Sequence, residues 1–170
     1  MITTLTKDTP LRILRDLGKD CKKCGHCCSH GTGMLIPEDI PRIARLLGIS
    51  EDELKERCLE EVEMFNTKAW KPRTAKKPFG KCVFLAKSNE CSIHVAKPFQ
   101  CVIMNCRHDA EQAVQWFYLN YLVNPGDPES VRQWASYLKH KEWVIEGGNL
   151  QELVPDEERL KKILSYDIVK

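Results

Sequence analysis

Four cysteines within eight residues, Cys21-Lys22-Lys23-Cys24-Gly25-His26-Cys27-Cys28, constrain this chain more than any other stretch in it. A chain does not crowd four oxidisable, metal-seeking thiols into one loop to fill a core. The C-x2-C spacing lets two thiolates grip one ion from a tight turn, and Gly25 permits the bend. The adjacent pair Cys27-Cys28 narrows the reading further. Neighbouring side chains diverge, so both are awkward on one tetrahedral ion and argue for more than one metal centre. The loop supplies half of a site, and the other half is expected from Cys82, Cys91, Cys101 and Cys106.

The remaining composition says where such a site could operate. The chain has 170 residues, 42% hydrophobic and 29% charged, which suits a soluble globular protein with a real core. A net charge of +2 does not by itself call for nucleic acid or membrane. No apolar run approaches the ~20 residues that span a bilayer. The start, Met1-Ile2-Thr3-Thr4-Leu5-Thr6-Lys7-Asp8, carries an acid and no apolar core, unlike a secretory signal, so a cytoplasmic location is expected. Nine cysteines, an odd count with two adjacent, point in a reducing compartment to metal rather than to disulfides.

Along the chain, Pro10 opens a short helix or extended lead-in over Leu11, Leu14 and Leu17, stopped by Gly18. Met34-Leu35-Ile36 is a short apolar run of strand character. Pro37-Glu38-Asp39 starts a helix with Ile40, Ile43, Ala44 and Leu47 as its stripe and Gly48 at its end. Ser50 and Glu53 form a capping box. The helix they open carries Leu54, Cys58, Leu59 and Val62 on one face and runs to about Met64-Phe65. Cys58 on that face is a small hydrophobe rather than a ligand. The segment from Cys82 to His94 reads as a β-hairpin about a Lys87-Ser88-Asn89-Glu90 turn, with Cys82 and Cys91 opposite each other near its ends. Pro98 fixes the path into Cys101. Beyond Cys106 the chain is helical: Ala110 to Val123 with Ala113, Val114, Trp116, Phe117 and Tyr121 inward, Glu129 to His140 with Val131, Trp134, Ala135 and Leu138 inward, and a last helix from Pro155 with Leu160, Ile163 and Leu164. Asn124 to Pro128 breaks the first two.

Between Asn66 and Asn89 there is no acid, while Lys68, Lys71, Arg73, Lys76, Lys77, Lys81 and Lys87 are basic, with Pro72, Pro78 and Gly80 making a loop. With Trp70 and Phe79 as stacking groups, stretch 68–87 could bind nucleic acid. A solvated basic loop over an anionic thiolate site is the preferred reading, since no nucleic-acid module surrounds it. A protein partner is expected, and no membrane.

Three thiols from one loop and a fourth from afar is a way of holding [4Fe–4S]. A zinc ribbon would want a second C-x2-C, and the downstream half has none. His26, His30, His94 and His108 flank the thiols; each reads as a neighbour of the ligands rather than one of them, because the thiols suffice. A thioredoxin-type reaction at Cys21 and Cys24 lacks the usual βαβ surroundings. No phosphate loop, nucleophile elbow or H-E-x-x-H motif is present.

These residues together resemble a known family. Cys21-x2-Cys24-Gly25-x-Cys27-Cys28, Cys82-Val83-Phe84-Leu85, Cys91-Ser92-Ile93-His94 and Lys97-Pro98-x2-Cys101 resemble the CxxCxxCC (YkgJ-like) cysteine-cluster proteins, described as zinc- or iron-chelating domains. The helix start at Pro37 to Ile40 and the Gly48-Ile49-Ser50 cap also resemble that family, and the likeness covers Lys19 to Cys106. The family usually has tyrosine and Arg-Pro where this chain has His94 and Lys97-Pro98; lysine keeps the charge without the bidentate fork. The resemblance implies a metal-chelating domain and supplies no substrate.

The expectation is therefore an α+β chain, mostly helical, with a small β-hairpin and a cysteine-rich metal centre. Residues 1–109 form the cysteine-cluster domain and 110–170 a helical extension packed on it. Cys21, Cys24, Cys27, Cys28, Cys82, Cys91, Cys101 and Cys106 hold iron–sulfur, with [4Fe–4S] as the cofactor, in electron transfer or cofactor maturation. A zinc-stabilised binding module is the rival, and metal storage or delivery a third reading.

Overall fold

In the computed structural model, residues 4–77, 79–104 and 110–168 are described. Cys106, His108 and Pro78, all used above, lie outside the described residues. The fold is α+β and mostly helical, and among the described residues one two-stranded sheet is present, a hairpin. The chain forms two compact units. One comprises Leu14–Val62 and Ala69–Arg107, the other Met1–Ile13, Glu63–Lys68 and His108–Lys170.

The first unit is built round the apolar faces of two helices. Helix α1 (Leu11–Leu17) runs into it and buries Leu14. The short helix α2 (His26–His30) takes in the end of the cysteine loop and carries Cys27 and Cys28. Helix α3 (Asp39–Leu47) buries Ile40, Ile43 and Ala44, and Gly48 ends it at φ 68° with its N–H on the carbonyls of Ala44 and Arg45. Leu47, expected in the stripe, is turned outward instead. Ser50 caps α4 (Glu51–Cys58) by accepting from the Glu53 N–H at 3.1 Å. Leu35, Leu54, Leu59, Phe84, Ile93 and Ala96 complete this core, and Cys58 packs at its edge with Cys82 and Cys91.

Helix α4 does not reach Phe65. It stops at Cys58, and β1 (Leu59–Met64) pairs with β2 (Thr67–Pro72). Phe65 and Asn66 sit at φ 53° and 57°, the two left-handed residues that a tight two-residue hairpin turn requires. In turn, the hairpin expected at 82–94 is reduced to a single bridge between Leu85 and Cys91, while Cys82 pairs with Thr74. Met34 to Ile36 likewise contributes one bridge, Leu35 to Trp70.

The second unit holds an aromatic core. Helix α6 (Ala110–Tyr121) buries Ala113, Trp116 and Phe117 as expected, but also Gln115 and Leu119. Gln115 is accommodated because its side chain accepts from the Ile145 N–H at 2.9 Å. Helix α7 (Pro128–Leu138) starts on proline behind the Asp127 cap and buries Val131 and Trp134. Trp134 stacks on Tyr137 at 4.9 Å, meets the edge of Phe65 at 5.4 Å, and donates to the Gly148 carbonyl at 2.8 Å. A short helix, α8 (Leu150–Leu153), opens on a capping box of Asn149 and Glu152, and α9 (Glu157–Leu164) buries Leu160 and Ile163.

Among the described residues no helix is long and apolar enough to cross a membrane.

Candidate metal centre

The cysteine loop gets its shape from two left-handed residues, Lys23 at φ 54° and Gly25 at φ 71°. Gly25 is also packed tightly: a Cβ there would lie 2.3 Å from the carbonyl oxygen of Asn89. This presses the loop onto the turn between Leu85 and Cys91. The Cys28 carbonyl then accepts from the Cys82 N–H at 2.8 Å, joining the two cysteine-bearing segments by backbone.

Cys82 and Cys91 open two equivalent turns. The Cys82 carbonyl accepts from Leu85 N–H at 3.0 Å, and that of Cys91 from His94 N–H at 3.1 Å. In each turn the sulfur takes the amide two residues on: Phe84 N–H donates to Cys82 Sγ, and Ile93 N–H to Cys91 Sγ. Phe84 and Ile93 are both buried, so the same residues that anchor the turns in the core cap the sulfurs.

Cys101 lies on α5 (Phe99–Ile103) and receives the Gly33 N–H at its sulfur. Four consecutive amides are spent here on four different partners. Gly33 goes to Cys101 Sγ, Met34 to Gln100 Oε1 at 2.6 Å, Leu35 to the Trp70 carbonyl at 2.8 Å, and Ile36 to Asp39 Oδ2 at 3.0 Å. The buried Asp39 also accepts from Phe99 N–H at 2.7 Å and pairs with Arg42, whose guanidinium donates to the Lys97 carbonyl at 3.0 Å. Asp39, which the sequence suggested only as part of a helix start, clamps α3 to the segment that carries Cys101. Gln100 and Gly33 were missed as positioning residues; the glycine in Gly31-Thr32-Gly33 was the available signal.

Six sulfurs share one electrostatic neighbourhood. Cys28 and Cys91 are hydrogen-bonded thiol to thiol, and the charge of Cys21 reaches Cys28. Cys27 Sγ lies 3.9 Å from Cys28 Sγ, and both are felt by Cys82 and Cys101. Burial pushes the Cys82 thiol up to about 11 and the Cys101 thiol up to about 12. Hydrogen bonding to Cys28 raises Cys27. Cys28 is also raised: its bond to Cys27 pulls down, but its bond to Cys91, burial and the charges of Cys91 and Cys21 outweigh it. Cys91 alone goes down, because it accepts from Cys28 and from Ile93 N–H. Cys24 is exposed in the same loop, and Cys58 is half-buried at the core edge.

Among the described residues no group of three or more His, Cys, Asp or Glu side chains is arranged closely enough to hold one ion.

The histidines differ in setting. His26 and His30 are exposed, with rings 4.9 Å apart. His94 is half-buried, and its Nε2 is the one buried side-chain N or O atom without a hydrogen-bond partner among the described residues. Burial, then Lys97 and Lys23, push its pKa down. The basic stretch is partly neutralised within its own unit. Lys71 and Lys77 pair with Glu60, and Arg73 Nε donates to the Leu59 carbonyl at 2.7 Å. Trp70 packs against the core while Phe79 is 76% exposed, so the two aromatic residues do not have like surroundings.

A family model named CxxCxxCC and described as a putative zinc- or iron-chelating domain matches residues 20–118, extending beyond Cys106 into α6. Comparison with curated proteins and with solved structures gives no match.

Proposed function

Since the chain belongs to the CxxCxxCC family of zinc- or iron-chelating domains, we propose that its cysteines hold iron–sulfur, with [4Fe–4S] as the resident group, in electron transfer or cofactor maturation. The ligands are drawn from Cys21, Cys24, Cys27, Cys28, Cys82, Cys91, Cys101 and Cys106. The observation that carries the reading is the neighbourhood of six thiols from three segments. Tetrahedral zinc takes four, so six exceed what one ion uses.

The donor set fits such a group in chemistry as well as in number. An iron–sulfur cluster supplies one-electron transfer at a potential set by hydrogen bonds to sulfur, burial and net charge. The chain provides these terms through the amides of Phe84, Ile93 and Gly33 and through the core beneath Cys82 and Cys91. The reading places the protein in the cytoplasm, where thiols stay reduced.

A second reading has its own support. Cys28, Cys82, Cys91 and Cys101 are half-buried and make a four-thiolate set on their own, enough for one structural zinc. One measurement separates the two. The protein is purified without oxygen, and iron, acid-labile sulfide, zinc and the visible spectrum are measured. Iron and sulfide in comparable amounts with a brown chromophore are expected. A colourless protein with one zinc per chain and no sulfide would overturn the iron–sulfur assignment in favour of the zinc module.

A further inference from the structure

Buried polar atoms in folded proteins are almost always paired, and an exception calls for a missing partner. His94 Nε2 is that exception among the described residues. Its position makes a metal the fitting partner. His94 closes the turn that Cys91 opens, donating its own N–H to the Cys91 carbonyl at 3.1 Å, so imidazole and thiol leave the same four-residue turn. Lys23, in the cysteine loop, acts on the ring through its charge. Lys97 and Glu90 are the other charged groups that act on the ring. A protonated ring would have an unpaired buried charge, whereas a neutral imidazole offers a nitrogen lone pair, the commonest biological metal donor after thiolate in such sites.

We propose that His94 Nε2 is a metal ligand, making the centre a mixed thiolate–imidazole site rather than one held by sulfur alone. The inference rests on the metal-binding reading above.

The test is X-ray absorption at the edge of whichever metal the anaerobically purified protein carries, iron or zinc. The unsubstituted chain is expected to show a nitrogen scatterer in the first shell with the outer-shell pattern of imidazole. His94→Phe, which fills the space without a nitrogen, is expected to lose it and to show sulfur only. A chain in which His26, His30, His108 and His140 are all replaced by Asn is expected to keep it; this arm decides the assignment should the phenylalanine variant fail to fold. A sulfur-only first shell in the unsubstituted chain, or an imidazole pattern that survives His94→Phe, overturns the proposal while leaving the metal-binding reading intact. A chain that carries neither iron nor zinc overturns both.

Discussion

Asp39 carries more of the site's geometry than any cysteine does. Its two oxygens serve the amides of Ile36 and Phe99 and the guanidinium of Arg42, at a position 1% exposed. Asp39→Ala would leave two buried amides unpaired, and a loss of about 3 kcal/mol is expected in urea unfolding. Asp39→Asn keeps one acceptor oxygen and should lose clearly less. Among the cysteines, Cys58→Ala is expected to retain its metal and Cys24→Ala to lose it, read as metal per chain; equal loss would show that the division of the nine is wrong. The spacing made the cysteines legible as a group because thiol clustering has few other uses. Asp39 was not legible in that role, since its partner Phe99 is sixty residues away and only tertiary structure brings it near. His94 was visible as a candidate and passed over, because its orphaned nitrogen exists only once the turn is folded.

The elements were legible where the signal was local. Ser50 with Glu53 marked the start of α4, and Gly48 the end of α3. The same rule overlooked Asn149 with Glu152, where the helix is only four residues long. The hairpin was misplaced because Leu54, Cys58, Leu59 and Val62 fit a helical face. The chain breaks that face for a turn in which Phe65, a poor left-handed residue, is held by Tyr118, Trp134 and Tyr137. Two element-scale outcomes follow. A Cβ on Gly33 would meet Cys101 Sγ at 2.6 Å and Cys101 N at 2.8 Å, whereas one on Gly31 would meet nothing within 4 Å. Gly33→Ala should therefore lose at least half its metal per chain, and Gly31→Ala none. The basic loop is pinned to β1 through Glu60, whose carboxyl is held below its usual range first by Lys77 and then by Lys71. A depressed carboxyl stabilises the fold fully above its unfolded value of about 4.3, and the effect is lost as pH falls through the folded value. Because Lys77 is largely exposed, the effect is under about 1 kcal/mol after solvent screening, and should shrink in the stability–pH curve of Lys77→Ala, where the Lys71 pair remains.

For the molecule as a whole, every described cysteine lies in the unit made of Leu14–Val62 and Ala69–Arg107. Stripping the metal with a chelator should therefore act on that unit alone. In hydrogen exchange, the amides of Gly33, Phe84 and Ile93, which donate to sulfur, should lose protection, and those of α7 should keep theirs. Loss in α7 of the same size would show that the two units unfold together. The division also sets an order of manufacture. A ribosome releases the chain from its N-terminus, and the cysteine-bearing unit is complete in sequence while α6, α7 and α9 are still unmade. The thiol-bearing segments are thus made before the helices that build the aromatic core. A stop codon placed late would leave the chelating half able to fill and the other half unable to fold.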